Sequence, residues 1–256
     1  MASARDPHPL LEALEREVAA AGGEVIETSP EILAKITGKD NPQAVAGVFA
    51  FTTFGAARPP LFADRTFFGV VRVQFDPPGM VHLEQGTTVH GSQFRDPRRE
   101  GVPTSYYSRP GPLGDLFDAL QRERPFERIG VVGLGAGTVM AYGRPEQTFT
   151  FYEIDPAVIR IATDPTYFTY LARGASRYTI VEGDARLRLA EADSGVYDLL
   201  ILDAYSSDHI PVHLLTTEAI RAYRRTLARG GVLAFHLSSR HMDLVPVVAA
   251  NASALG

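Results

Sequence analysis

The chain has 256 residues, is 45% apolar and 21% charged, and carries a net charge of −5. It is long enough for one large domain, or a large one with a small companion. The acidic balance argues against a nucleic-acid binder, which needs a basic surface. The absence of cysteine removes disulfides, thiolate catalysis and thiolate-ligated metal.

The N-terminus lacks a basic region followed by an apolar core, so no signal peptide is read and a cytoplasmic setting is expected. "HPLLEALEREVAAAGG" (His8 to Gly23) has helical spacing and stops at a glycine pair. "SPEILAKITG" predicts a second helix, with Ser29 as N-cap, Pro30 at its first position and Gly38 at its end. The longest weakly polar run, Ala44 to Ala57, falls short of the ~20 residues that cross a bilayer. It reads as a buried helix, with an interfacial segment as the alternative. Residues 1–60 are therefore expected to form a helical leader with no membrane span.

Arg58 to Asp64 reads as a loop. From Thr66 the period becomes that of strands. A hairpin is expected from Phe67–Phe75 and Met80–Gln85 around Asp76-Pro77-Pro78-Gly79, with a short strand near Thr88. With the polar loop that follows, this makes a small β-hairpin domain over 61–115. "LGDLFDALQRE" is a helix. Residues 116–256 then alternate strands and helices. The strands are "RIGVVGLG", "TFTFYEID", "YTIVEGD", "YDLLILD" and "GVLAFHLSS". The helices between them are read at Thr138–Tyr142, Pro156–Ala162, Ala185–Ala192 and Thr217–Ala228. Strands apolar on both faces imply an α/β domain with a parallel sheet covered on both sides, of Rossmann-like type.

The first of these strands runs into Gly133-x-Gly135-x-Gly137 and then a helix. Missing side chains let backbone approach a ligand, and the helix start offers free N–H groups. The next strand ends in Glu153, where a carboxylate can accept from ribose hydroxyls. The third ends in "EGDA", which puts Asp184 and Ala185 at the same edge, facing an adenine amine. The fourth ends at Asp203. Capping of the following helix is the rival explanation for such acids. It is preferred for Asp155, before Pro156, and stays open for Asp184. The set points to an adenosine-type ligand. Thr138 makes the spacing G-x-G-x-G rather than G-x-G-x-x-G, which resembles the class I methyltransferase-like fold, whose ligand is S-adenosylmethionine or a relative. His209 and His213 lie four apart, but Pro211 breaks the helix that would align them, so no metal site is expected. His90 either lines the pocket or bonds within the core. Ser206-Ser207 lacks a nucleophile elbow.

"YDLLILDAYSSDHIPVHLLT", with "DRTFFGVVRV", "LEQGTTVHGSQF", "PTSYYSRPGPLG", "YEIDPAVI" and "EGDARL", makes the resemblance specific. Over roughly residues 64 to 250 the chain resembles the spermidine synthase (polyamine aminopropyltransferase) family, closest to the bacterial branch often fused to a transporter-like membrane segment. The resemblance implies a β-hairpin domain before a methyltransferase-like domain, and a homodimer. It also implies transfer of the aminopropyl group of decarboxylated S-adenosylmethionine to an amine, usually putrescine, with release of methylthioadenosine and without metal. By the same resemblance Gln93 sits near the sulfonium and Tyr106 or Tyr107 beside the acceptor amine. Glu153 holds the ribose, Asp184 faces the adenine, and Asp203 orients and deprotonates the attacking nitrogen. Asp208 is matched to the second acid of that loop.

Four departures stand out. Asp203 and Asp208 are five apart where the family spaces its acids by three. "YYSR" replaces Tyr-His-Glu, which removes an acceptor-side acid and introduces Arg109, a group suited to repelling a diamine or binding an anion. Ala136 stands where many members carry Asp. The chain stops at Gly256, soon after the fifth strand, which implies a fragment or an edge covered by a partner. Two other functions stay open: methyl transfer from S-adenosylmethionine, and a non-catalytic nucleoside-binding domain.

Overall fold

The computed structural model describes residues 59–77, 79–86, 88–123, 126–205, 210–237 and 243–255. The helices expected at His8–Gly23 and Ser29–Gly38, the run Ala44–Ala57, and Ser206, Ser207, Asp208 and His209 lie outside them.

The first described sheet is antiparallel, in the order β1-β2-β3-β4. It comprises β1 (Phe62–Thr66), β2 (Gly69–Asp76), β3 (Met80–Gln85) and β4 (Thr88–Phe94). Two expectations change here. Phe62–Thr66 is a strand rather than a loop, and Phe67 belongs to the two-residue turn closed by the Thr66–Gly69 pair. Gly69 enters β2 at φ +128, a conformation only glycine adopts readily. The predicted Met80–Gln85 strand is found as drawn, and the short strand near Thr88 runs on to Phe94.

Helix α1 (Pro112–Glu123) leads into a parallel sheet of β5 (Arg128–Val132), β6 (Thr148–Glu153), β7 (Arg177–Glu182), β8 (Tyr197–Leu202) and β9 (Leu227–Phe235). Its order is β7-β6-β5-β8-β9. The connecting helices are α2 (Pro156–Thr163), α3 (Tyr170–Arg173), α4 (Ala185–Glu191) and α5 (Thr217–Thr226), with α6 (Val245–Leu255) after β9. Helix α5 ends two residues earlier than expected, and β9 begins at once. Regular pairing of β9 with β8 resumes only at Val232, beside Leu199, after an irregularity that includes Gly230 at φ +72. The regular part, Val232–Phe235, falls inside the strand expected from "GVLAFHLSS".

Alternation along the strands feeds two cores. Ile129, Val131, Leu199 and Ile201 pack on one face with Phe117, Phe126 and Tyr142. Val132, Leu200 and Leu202 pack on the other with Leu189, Ile220 and Tyr223. A third cluster joins the small sheet to the large domain: Val71, Val73, Val81 and Leu83 meet Ile161 of α2 and Phe168. The chain runs β5, β6, β7 in one direction and then returns to place β8 on the other side of β5. The carboxyl ends of β5 and β8 therefore flank the switch point of the sheet, where open α/β folds bind ligands.

Candidate active site

A cavity of about 580 Å³ opens at that switch point, a volume ordinary for a small-molecule site. Gly133, Gly135, Glu153, Asp184, Ala185 and Asp203 line it from the parallel sheet. His90, Tyr106 and Tyr107 close it from the side of the small sheet.

The glycine loop is held from beneath by Glu153. Its Oε2 accepts from the N–H of Leu134 at 3.0 Å, and its Oε1 from that of Asp155 at 2.9 Å. An ionised carboxylate has about four acceptor positions, so these bonds leave room for a hydroxyl donor. Burial pushes the carboxyl up from its ordinary range, while N–H groups of Asp155, Leu134 and Ile154 oppose that shift. The glycines answer to protein neighbours as well as to any ligand. A Cβ on Gly133 (φ +95) would stand 2.4 Å from the carbonyl oxygen of Asp203, and one on Gly135 (φ +52) 2.7 Å from that of His90. Strand β4 is pressed as closely on the loop: a Cβ on Gly91 would lie 2.5 Å from the Cβ of Ala136. Gly137, at φ +79, packs toward Leu171 and does not line the cavity.

Two acids resolve between capping and ligand roles. Asp155 is the N-cap of α2, accepting from Ala157 N at 2.9 Å, and Thr66 donates to its second oxygen at 2.7 Å. Asp184 caps α4 through Oδ1, which accepts from the N–H groups of Arg186 and Leu187. Its Oδ2 lies 3.1 Å from Nε2 of His213, and both side chains belong to residues that line the cavity.

Asp203 follows the last residue of β8, and its side chain is only 5% exposed. Tyr107 donates to Oδ2 at 2.5 Å, and Tyr106 donates to the Tyr107 hydroxyl at 3.2 Å. Burial, reinforced by the Asp203 charge, pushes both phenols well up, so they remain donors. The tyrosines sit in a tight helical turn, Ser105–Tyr107, entered by Ser105 at φ +56, a left-handed conformation that costs an L-residue about 1–2 kcal/mol. Tyr142 anchors this turn by donating to the Tyr107 carbonyl at 2.5 Å.

Besides Gly137, two further expected positions lie outside the cavity lining. Gln93 does not line the cavity. It is 4% exposed, its Nε2 donates to Glu100 O and Thr169 Oγ1, and its Oε1 accepts from Thr169 N. That carboxamide ties β4 to the large domain. Arg109 is also outside the lining. Its guanidinium donates to Ala141 O at 3.3 Å and lies over the Tyr142 ring, 5.1 Å from its centroid. One residue goes unflagged in the sequence: His236, whose Nδ1 is 2.6 Å from Asp203 Oδ1. Its signal in the sequence is a polar ring inside the otherwise apolar strand expected from "GVLAFHLSS".

No family model matches the chain. A polyamine aminopropyltransferase of Vibrio vulnificus (strain CMCP6) is 32% identical over 155 residues, which cover 59% of this chain and 48% of that protein. The match thus spans about half of the relative's length. Among solved structures, a probable spermidine synthase from Corynebacterium glutamicum ATCC 13032 superposes with a TM-score of 0.57 at 17% identity, covering 70% of this chain and 64% of that one. A spermidine synthase from Thermotoga maritima gives 0.56 at 14%, covering 76% and 63%. A spermidine synthase in complex with the transition-state analogue AdoDATO gives 0.56 at 14%, covering 76% and 64%. Among the described residues no helix is long and apolar enough to cross a membrane. The chain has the spermidine synthase fold, a four-stranded antiparallel sheet followed by a five-stranded parallel one with helices, and over 155 residues it is similar in sequence to a polyamine aminopropyltransferase.

Proposed function

We propose that this chain is an aminopropyltransferase that moves the aminopropyl group of decarboxylated S-adenosylmethionine to an amine such as putrescine. The observation that carries the proposal is Asp203: a nearly sealed carboxylate at the switch point, held by the Tyr107 hydroxyl and facing the cavity beside the glycine loop. Glu153 is assigned the ribose hydroxyls, through the acceptor capacity left by its backbone bonds. Asp184 is assigned the adenine side.

The chemistry suits these residue types. An alkyl ammonium has a pKa of about 10.4, so presenting the free amine near neutrality costs roughly 4–5 kcal/mol. Asp203 binds the cation, orients it and takes its proton as attack proceeds. The new bond forms between the amine nitrogen and the carbon beside sulfur. The carbon–sulfur bond breaks with its electron pair going to sulfur, which releases methylthioadenosine. Tyr106 and Tyr107 fix the approach.

The test is mass detection of products after incubating the protein with decarboxylated S-adenosylmethionine and putrescine, cadaverine, spermidine or agmatine, with intact S-adenosylmethionine in parallel. Methylthioadenosine together with an acceptor enlarged by one aminopropyl group supports the reading. Methylated product from intact S-adenosylmethionine overturns it, as does silence in every tube from protein that binds methylthioadenosine. Asp203→Asn is expected to abolish transfer while nucleoside binding persists.

A further inference from the structure

We infer that His236 is a positioning residue for the transfer, holding the Asp203 carboxylate in the plane from which it meets the acceptor amine; this rests on the function proposed above. The sheet itself brings the two together. Strands β8 and β9 are parallel with Leu202 beside Phe235, so the next residue on each, Asp203 and His236, emerges at adjacent carboxyl ends. The N–H of His236 donates to Leu202 O at 2.9 Å and fixes the backbone there.

The side chains complete the arrangement. His236 Nδ1 lies 2.6 Å from Asp203 Oδ1. An ionised carboxylate only accepts, so Nδ1 carries the hydrogen. Tyr107 donates to the other oxygen at 2.5 Å. Two donors from separate elements, one per oxygen, define the plane of the carboxylate and leave acceptor positions on each oxygen for an amine. The imidazole is itself held. The rings of Tyr106 and Tyr205 lie 4.8 and 4.9 Å from it, and Tyr205 donates to the His236 carbonyl at 2.7 Å. The Asp203 side chain is 5% exposed and that of His236 27% exposed, so a water that replaced the ring would lack its fixed direction.

His236 takes no proton in this scheme. The amine proton goes to Asp203, and the Nδ1–H bond remains in place throughout. The role is orientation, of the kind by which supporting bonds align a catalytic group.

Two readouts test this. In nitrogen-15-labelled protein, the ring N–H of His236 is expected as a far-downfield proton resonance that vanishes in His236→Ala and moves or vanishes in Asp203→Asn. In steady-state transfer assays, His236→Ala is expected to lower kcat by about tenfold to hundredfold, with the donor KM changed by less than about threefold. His236→Asn, whose amide nitrogen can reach the place of Nδ1, is expected to recover most of the loss. The inference is overturned if the resonance is indifferent to Asp203→Asn. It is equally overturned if His236→Ala keeps its kcat, or if asparagine restores nothing in a variant that folds as the wild type does. Wild-type protein that shows the resonance but transfers to no amine refutes the proposed reaction and leaves the Asp203–His236 contact standing, so the two failures are distinguishable.

Discussion

Replacing Tyr107 by phenylalanine removes one oxygen atom from a ring that is 6% exposed and leaves its packing in the core unchanged. That oxygen donates to Asp203 Oδ2 at 2.5 Å and accepts from Tyr106 at 3.2 Å. A hydrogen bond to a charged group contributes about 1.5–3 kcal/mol, and a neutral one about 0.5–1.5 kcal/mol. The Tyr106 bond is neutral and long at 3.2 Å, so its loss is discounted. Asp203 is 5% exposed, so its bond is counted nearly in full. The expected cost is about 1.5–3 kcal/mol near neutral pH. For a protein of this size about 1 kcal/mol moves Tm by about 2–4 °C, which places the shift at roughly 3–12 °C. Urea unfolding of wild type and Tyr107→Phe, followed by circular dichroism, measures it. A difference below about 0.5 kcal/mol with unchanged m-value refutes the argument that the Tyr107 hydroxyl holds the carboxylate.

Gly133→Ala is expected to lose at least about 1–2 kcal/mol from its left-handed backbone alone. The overlap with the Asp203 carbonyl adds to this, and a thermal melt reads the sum. Glu153→Gln turns one buried oxygen into a donor that faces the N–H of Leu134 or Asp155. It is expected to cost about 1–3 kcal/mol of stability and to weaken methylthioadenosine binding by about tenfold in calorimetric titration. Asp198 gives a pH test. Burial works against its charge, but the Arg128 guanidinium and the N–H groups of Glu127 and Arg128 outweigh it and hold the carboxyl below its usual range. Its contribution is therefore present above the unfolded value of about 3.9 and disappears as pH falls through the lower folded value. Asp198→Asn should be less stable than wild type by about 0.2–1 kcal/mol near neutrality, since Arg128 is half exposed. The two melting curves should converge toward pH 2.

The parallel sheet was legible because buried strands announce themselves as apolar runs, and the glycine loop because its spacing is short and local. Glu153, Asp184 and Asp203 could be placed at one edge for the same reason: each ends a recognisable strand. β1 was hidden because its burial alternates between half-buried and exposed, and the neighbouring Arg58-Pro59-Pro60 reads as loop. Phe67 looked like strand because it is aromatic. It is instead 96% exposed at a hairpin tip, where Gly69 supplies the turn. His236 lies 33 residues from Asp203, and only the pairing of β8 with β9 makes them neighbours. Gln93 carried a family pattern, yet its carboxamide bonds depend on Thr169, 76 residues away, a partner that no local motif contains.

The crossing of β4 over the glycine loop has a consequence for how such a chain can vary. Because a methyl group at Gly91 would reach within 2.5 Å of the Ala136 side chain, these two positions share one small volume, and whichever enlarges first obstructs the other. Ala136 is 1% exposed, so an aspartate there would press a carboxylate into the β4 backbone with no solvent to receive it. The chain has an apolar wall at the crest of the loop. Ala136→Asp would need the strand set back, and with it the His90 carbonyl that lies close to Gly135. Size at 91, size at 136 and the seating of His90 are thus coupled through one small volume.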